Sequence, residues 1–214
     1  MRLNCAIFDM DGTLLDSMGK WDDLGVALLR RHGREPRPDF RDVTIPMGRW
    51  SAAKYCVAEY GLDCAPADLV DEMNNEMMGF YENEVKCKPG VEKFLSILKM
   101  EGVSMYVATA TDRPMVEKAL KTAGIAEYFK GLITCAEAGA DKGESAKIYE
   151  YAMKRLRGNK LDTVVFEDSW VAIRTAKSAG FRVAGIFDNA SADRWEEIKA
   201  MADYAYESWE ELTE

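Results

Sequence analysis

The chain has 214 residues, 48% hydrophobic and 30% charged, a balance that belongs to folded globular proteins rather than disordered ones. A formal net charge of −9 argues against a nucleic-acid partner, because a phosphate backbone is met by clustered Lys and Arg. No stretch reaches the roughly eighteen consecutive apolar residues that span a bilayer, so no membrane partner is expected.

In chain order, Leu3–Phe8 is an apolar run with Ile and Phe that predicts a strand buried on both faces. Met1-Arg2-Leu3-Asn4-Cys5 leads directly into it without the layout of a signal peptide, and a cytoplasmic location is expected. The strand runs into Asp9-Met10-Asp11-Gly12-Thr13, where Gly12 breaks the run. Ligand sites of parallel sheets lie at the carboxyl ends of strands, so Asp9, Asp11 and Thr13 are expected to project into a cleft. A DxDG string also opens calcium loops, but those need flanking helices and a late Glu, and here a strand precedes it.

From about Ser17 to Lys86 no strand is predicted. Trp21, Leu24 and Leu28, then Leu69, Met73 and Met77, recur at helical spacing and mark a helical insert. Its Met-rich stretch Glu72–Tyr81 is expected to fill a core. His32, the sole histidine, falls at an expected helix C-terminus, where a cation is favoured. Lys88-Pro89-Gly90 restarts the α/β pattern, with hinges expected near Asp16–Ser17 and Lys86–Pro89. The expected domains are therefore a core of residues 1–16 and 87–214 and a helical cap of residues 17–86.

Beyond the insert, helices are predicted at Gly90–Lys99, Arg113–Ala123, Ser145–Arg155 and Trp170–Ala179, with Gly102, Gly124 and Gly180 as stops. Between and after them, strands are predicted at Ser104–Ala108, Leu132–Thr134, Thr163–Phe166, Val183–Phe187 and Tyr204–Tyr206. The alternation predicts a parallel, Rossmann-like sheet with crossover helices. Three chemically notable places follow its strands: Thr109-Ala110-Thr111, Lys142 in Gly139–Ser145, and Glu167-Asp168. Five scattered cysteines without a CxxC pair read as reduced thiols.

These four places, in this order and around an insert after the first, resemble the motifs of the haloacid dehalogenase-like (HAD) hydrolase superfamily, in particular its phosphatase and β-phosphoglucomutase-like members with a helical cap. The resemblance covers the whole chain. It implies an α/β HAD fold and a phosphatase using an aspartyl-phosphate intermediate and Mg²⁺. Asp9 would be the nucleophile and Asp11 the acid and base, with Gly12 giving the turn and Thr13 bracing it. Thr109 and Ala110 would contact phosphate oxygens with Gly12, and Lys142 would offset the negative charge. Asp9, the Asp11 main-chain carbonyl and Asp168 would hold Mg²⁺, with Glu167 joining directly or through water. Lys147 is the lesser alternative to Lys142, and Arg113 is a further candidate for phosphate contact.

Asp11 favours phosphate esters over dehalogenation, and the expected partner is a small phosphorylated metabolite such as a sugar phosphate or nucleotide. The second reading is a sugar-phosphate mutase, which the Trp21 region disfavours because that class carries a His there. A non-catalytic phospholigand sensor is the third. Trp21, Arg49, Trp50 and Lys54 are candidates for shaping specificity, with helix packing an equal alternative. No oligomeric state follows from the chain.

Overall fold

The structure is a computed structural model that describes residues 3–44, 47 and 49–213; the start Met1-Arg2 lies outside them. It divides into two units, Met1–Met18 with Val85–Glu214, and Gly19–Glu84.

The first unit is built on six parallel strands, β1 (Cys5–Phe8), β2 (Ser104–Thr109), β3 (Leu132–Thr134), β4 (Thr163–Glu167), β5 (Arg182–Ile186) and β6 (Tyr204–Tyr206). Their order is β3-β2-β1-β4-β5-β6. β1 is central, pairing Phe8 with Val107 of β2 on one side and with Phe166 of β4 on the other. All four β1 residues are buried, as the unbroken apolar run requires. The sheet grows outward from β1 in both directions, which makes the carboxyl ends of β1, β2 and β4 the crevice where α/β folds place ligands.

The insert begins in the first turn of α1 (Met18–Arg31) and continues with α2 (Phe40–Thr44), α3 (Arg49–Tyr60) and α4 (Pro66–Asn83). Within the second unit Leu24, Leu28, Leu69, Met73 and Met77 are all buried, the periodic sets seen in the sequence. His32 lies just past α1, with Nε2 3.1 Å from Glu72 Oε1 on α4.

After the insert come α5 (Val91–Met100), α6 (Arg113–Thr122), α7 (Cys135–Ala138), α8 (Lys147–Leu156), α9 (Trp170–Ser178) and α10 (Trp195–Met201), with short 3₁₀ turns at Ala126–Tyr128, Asn189–Arg194 and Trp209–Leu212. The expected Ser145–Arg155 helix starts two residues later, because the Ser145 hydroxyl accepts from the Lys147 N–H instead of joining the helix. α7, α10 and the 3₁₀ turns carried too short a period to be read from sequence.

The two faces of the sheet bury different side chains. One holds Ile7, Tyr106, Ile133, Val165 and Val183 against Ile148, Tyr149, Ile173 and Ile198 from α8, α9 and α10. On the other, Phe8 stacks on Phe166 at 4.7 Å, with Phe94 of α5 and Trp209 closing over Phe166 at 5.6 and 5.4 Å. Alternation along β1 thus sends Ile7 and Phe8 into separate cores and leaves Asp9 at the strand end.

Candidate active site

Asp9 follows β1 with its N–H donating to Phe166 O of β4 at 3.0 Å, so the sheet itself delivers the carboxylate beside the end of β4. There Glu167 closes β4 and Asp168 follows it. Carboxylate oxygens of Asp9, Glu167 and Asp168 lie within 4.8 Å of one another, and all three residues are buried. Lys142, from the loop before α8, places Nζ 2.6 Å from Asp9 Oδ1 and in direct contact with Glu167 Oε1.

Burial pushes the Asp9 carboxyl well above the usual carboxylate range; Lys142 opposes this, and Glu167 and Asp168 add to it. Burial, then Glu167, push Asp168 up to about 7, against the opposing Lys142 charge and the Thr13 hydrogen bond. Desolvation acts to lower Lys142, but Asp9 and Glu167 outweigh it and hold its ammonium well above the ordinary lysine value. Three buried carboxylates against one ammonium leave an excess of two negative charges when all are ionised. Asp9 Oδ1 is buried and lies against the Lys142 ammonium at 2.6 Å, the contact that opposes the effect of burial. Hard oxygens and a deficit of two positive charges fit a small divalent cation held by Asp9 and Asp168.

Glu167 is otherwise occupied. Its Oε1 also accepts from the Tyr149 hydroxyl at 3.2 Å, and its Oε2 accepts from the Ser169 N–H at 2.8 Å. The Asp11 carboxylate stands outside the three-carboxylate group, with Oδ1 accepting from Ser17 Oγ at 2.6 Å and Oδ2 from Thr111 Oγ1 at 2.7 Å. The metal contact expected at this residue is its main-chain carbonyl, not the carboxylate.

The turn between these acids requires Gly12. Its φ is +78°, and a Cβ there would stand 2.5 Å from Asp168 Oδ2. Thr13 Oγ1 donates to Asp168 Oδ1 at 2.6 Å, tying the two strand ends together. Thr109 ends β2, buried, with Oγ1 accepting from the Thr111 N–H at 3.1 Å, and Ala110 follows it exposed.

The structure does not bring Arg113 or Lys147 to this group. Arg113 pairs with Glu137 through Nε and Nη2, at 2.5 and 2.9 Å, and donates to Leu132 O at 3.1 Å, joining α6 to α7. Lys147 is an exposed first residue of α8. In the second unit, the Trp21 indole donates to Tyr81 Oη at 3.0 Å and Arg49 donates to Asn74 Oδ1 at 2.5 Å.

Ser17, Thr111 and Tyr149 were given no role by the sequence reading. Thr111 stands in the same strand-end string as Thr109, and Ser17 follows the acidic turn directly; Tyr149 carried only the signal of a core helix position.

A family model described as haloacid dehalogenase-like hydrolase matches residues 3–180. The bifunctional riboflavin kinase/FMN phosphatase of Arabidopsis thaliana is 28% identical over 96% of the chain, which spans 55% of that protein's length. Hexitol phosphatase B of Escherichia coli is 26% identical over 99% of the chain and 95% of its own. The crystal structure of a putative beta-phosphoglucomutase from Thermotoga maritima superposes with a TM-score of 0.81 at 22% identity, over 99% of this chain and 97% of that one, a likeness of fold.

Proposed function

Because the chain belongs to the haloacid dehalogenase-like hydrolase family, we propose that it is a Mg²⁺-dependent phosphatase that frees phosphate from a small phosphorylated metabolite through an aspartyl phosphate on Asp9. The observation that carries this reading is the buried Asp9–Lys142–Glu167–Asp168 cluster, two negative charges in excess, with a second carboxylate, Asp11, two residues from Asp9. The activities of two relatives, an FMN phosphatase and a hexitol phosphatase, point to phosphomonoesters as the substrate class.

Asp9 attacks phosphorus in line with the leaving oxygen, and Lys142 offsets charge on the transferring oxygens. Asp9, Asp168 and the Asp11 main-chain carbonyl would hold Mg²⁺, which would supply the remaining positive charge. Glu167, its oxygens taken by Lys142, Tyr149 and Ser169, holds the ammonium in place. Asp11 protonates the departing oxygen and then takes a proton from the water that cleaves the acyl phosphate, steered by Ser17 and Thr111. Thr109 and the amides following it bind phosphate oxygens. The helical insert, as a cap, is assigned the choice of leaving group.

A panel of phosphorylated sugars and nucleotides, with and without EDTA, tests this. Release of inorganic phosphate that EDTA removes and Mg²⁺ restores is expected. An isomerised sugar phosphate in place of free phosphate, or chelator-resistant turnover, would reject the reading.

A further inference from the structure

Three consecutive carbonyls of the turn after Asp11 are each taken by a donor from a distant part of the chain. The Lys88 ammonium donates to Gly12 O at 2.6 Å, the Trp209 indole N–H to Thr13 O at 2.9 Å, and the Lys88 main-chain N–H to Leu14 O at 2.9 Å. The other two ammonium hydrogens are also engaged, with Phe187 O at 2.7 Å and Asp188 Oδ2 at 2.8 Å. Asp188 is fixed in turn by the Ala190 N–H at 2.9 Å. The Lys88 side chain is only 16% exposed.

A lysine side chain loses rotamer entropy when it is fixed, and the usual outcome is an ammonium left in water. Here all three donors have partners, on the Gly12 turn and on the Phe187-Asp188 segment after β5. The turn has hydrogen bonds of its own, from the Leu14 and Leu15 N–H groups to Met10 O at 2.9 Å and from the Gly12 N–H to Leu15 O at 3.1 Å, but it passes through Gly12 at φ +78°, where glycine has a freedom that other residues lack. Rotation of the Gly12 or Thr13 peptide would swing Thr13 Oγ1 off Asp168 and redirect the backbone that carries Asp9 and Asp11.

We infer that Lys88, assisted by Trp209, is a positioning residue that locks the Gly12–Leu14 peptides and so holds the acidic turn in the geometry that phosphoryl transfer uses. The assignment of the turn to phosphoryl transfer rests on the proposed function; the lock itself does not. Lys88 lies in the turn where the chain returns from the insert, and Trp209 lies beyond residue 180, where the family match ends. The turn is thereby tied to the C-terminal segment and to the second insert boundary.

The test uses the full chain with Lys88→Met, which keeps the stem and the main-chain donor, Trp209→Phe, which keeps a ring in the Phe8–Phe94–Phe166 cluster, and Asp188→Asn. Hydrogen exchange is followed without ligand at the Leu14 and Leu15 amides, both bonded to Met10 O, alongside Mg²⁺ titration and steady-state kinetics. Lys88→Met is expected to exchange at least about 10-fold faster at those two amides with β2 and β5 unchanged. Its kcat should fall about 10- to 100-fold, with a smaller change in KM and weaker Mg²⁺ binding. Trp209→Phe and Asp188→Asn should move the same readouts the same way by less. A lower melting temperature with turn exchange and kcat within about twofold of the parent would mean a purely structural bridge and overturn the inference. Should Lys88→Met fail to fold, unchanged turn exchange in both other variants overturns it equally. A parent without phosphatase activity would reject the proposed function and leave the exchange comparison valid.

Discussion

Asp9→Asn keeps the size and shape of the side chain while removing the charge and the nucleophilic oxygen pair, so the variant is expected to fold and lose both turnover and covalent phosphorylation. Full activity in a folded sample would remove Asp9 from its role. Lys142→Met leaves Asp9, Glu167 and Asp168 without their cation, a loss of about 3–5 kcal/mol when they are ionised. Chemical denaturation of metal-free protein should show that loss near pH 8 and a smaller one near pH 5, where the raised Asp9 and Asp168 carboxyls take up protons. The parent has its own pH signature. With Asp168 raised to about 7 in the fold from 3.8, the folded state holds a proton between those values that the unfolded chain has released. The contribution of Asp168 to metal-free stability is therefore fullest below about pH 4 and is lost as pH rises to about 7, and Mg²⁺ should offset that loss. The same metal-free profile in Asp168→Asn as in the parent would mean that Asp168 is ionised throughout.

At the scale of the element, the turn after β1 is the tightest local constraint in the first unit. Gly12→Ala meets both the positive φ and the Asp168 Oδ2 contact at 2.5 Å. Backbone strain alone is about 1–2 kcal/mol, and the carboxylate must also move. A fall in melting temperature together with weakened Mg²⁺ binding is expected; unchanged Mg²⁺ binding would show that the Asp168 carboxylate is not a ligand. β1, β2, β4 and β5 were legible because burial on both faces leaves unbroken β-branched and aromatic runs, the half-buried β6 was read from Tyr204–Tyr206, and all six strands fall within a residue or two of their predicted bounds. α2 and α3 were not separately legible, since α3 buries only Ala53 and Cys56 and presents little period.

At the scale of the molecule, the insert departs from and returns to neighbouring points of the first unit. Leu15 pairs antiparallel with Cys87, and the Asp16 N–H donates to Lys86 O at 3.0 Å. Replacing Gly19–Glu84 with a short Gly/Ser turn should therefore leave a core that unfolds cooperatively and still binds Mg²⁺, while kcat/KM for the metabolite collapses. A core that fails to fold would show that the two units are not independent. Among the described residues no helix is long and apolar enough to cross a membrane.

Strand periodicity and the order of four short motifs were enough to establish the sheet, its helical insert and the residues Asp9, Lys142, Glu167 and Asp168 as candidates, because strand ends in a parallel sheet converge on one edge whatever the intervening chain. Which groups share hydrogen bonds was decided only in three dimensions. Nothing in the spacing pairs Tyr149 with Glu167, Thr111 with Asp11, or Trp209 with Thr13 across 196 positions. Arg113, a phosphate candidate by its place beside Thr109, belongs instead to Glu137, since a guanidinium pairs with the carboxylate that tertiary packing brings nearest. Residue type limits what a side chain can do, while its neighbours, set by the packing of helices α5 to α10 on the sheet, select among those uses.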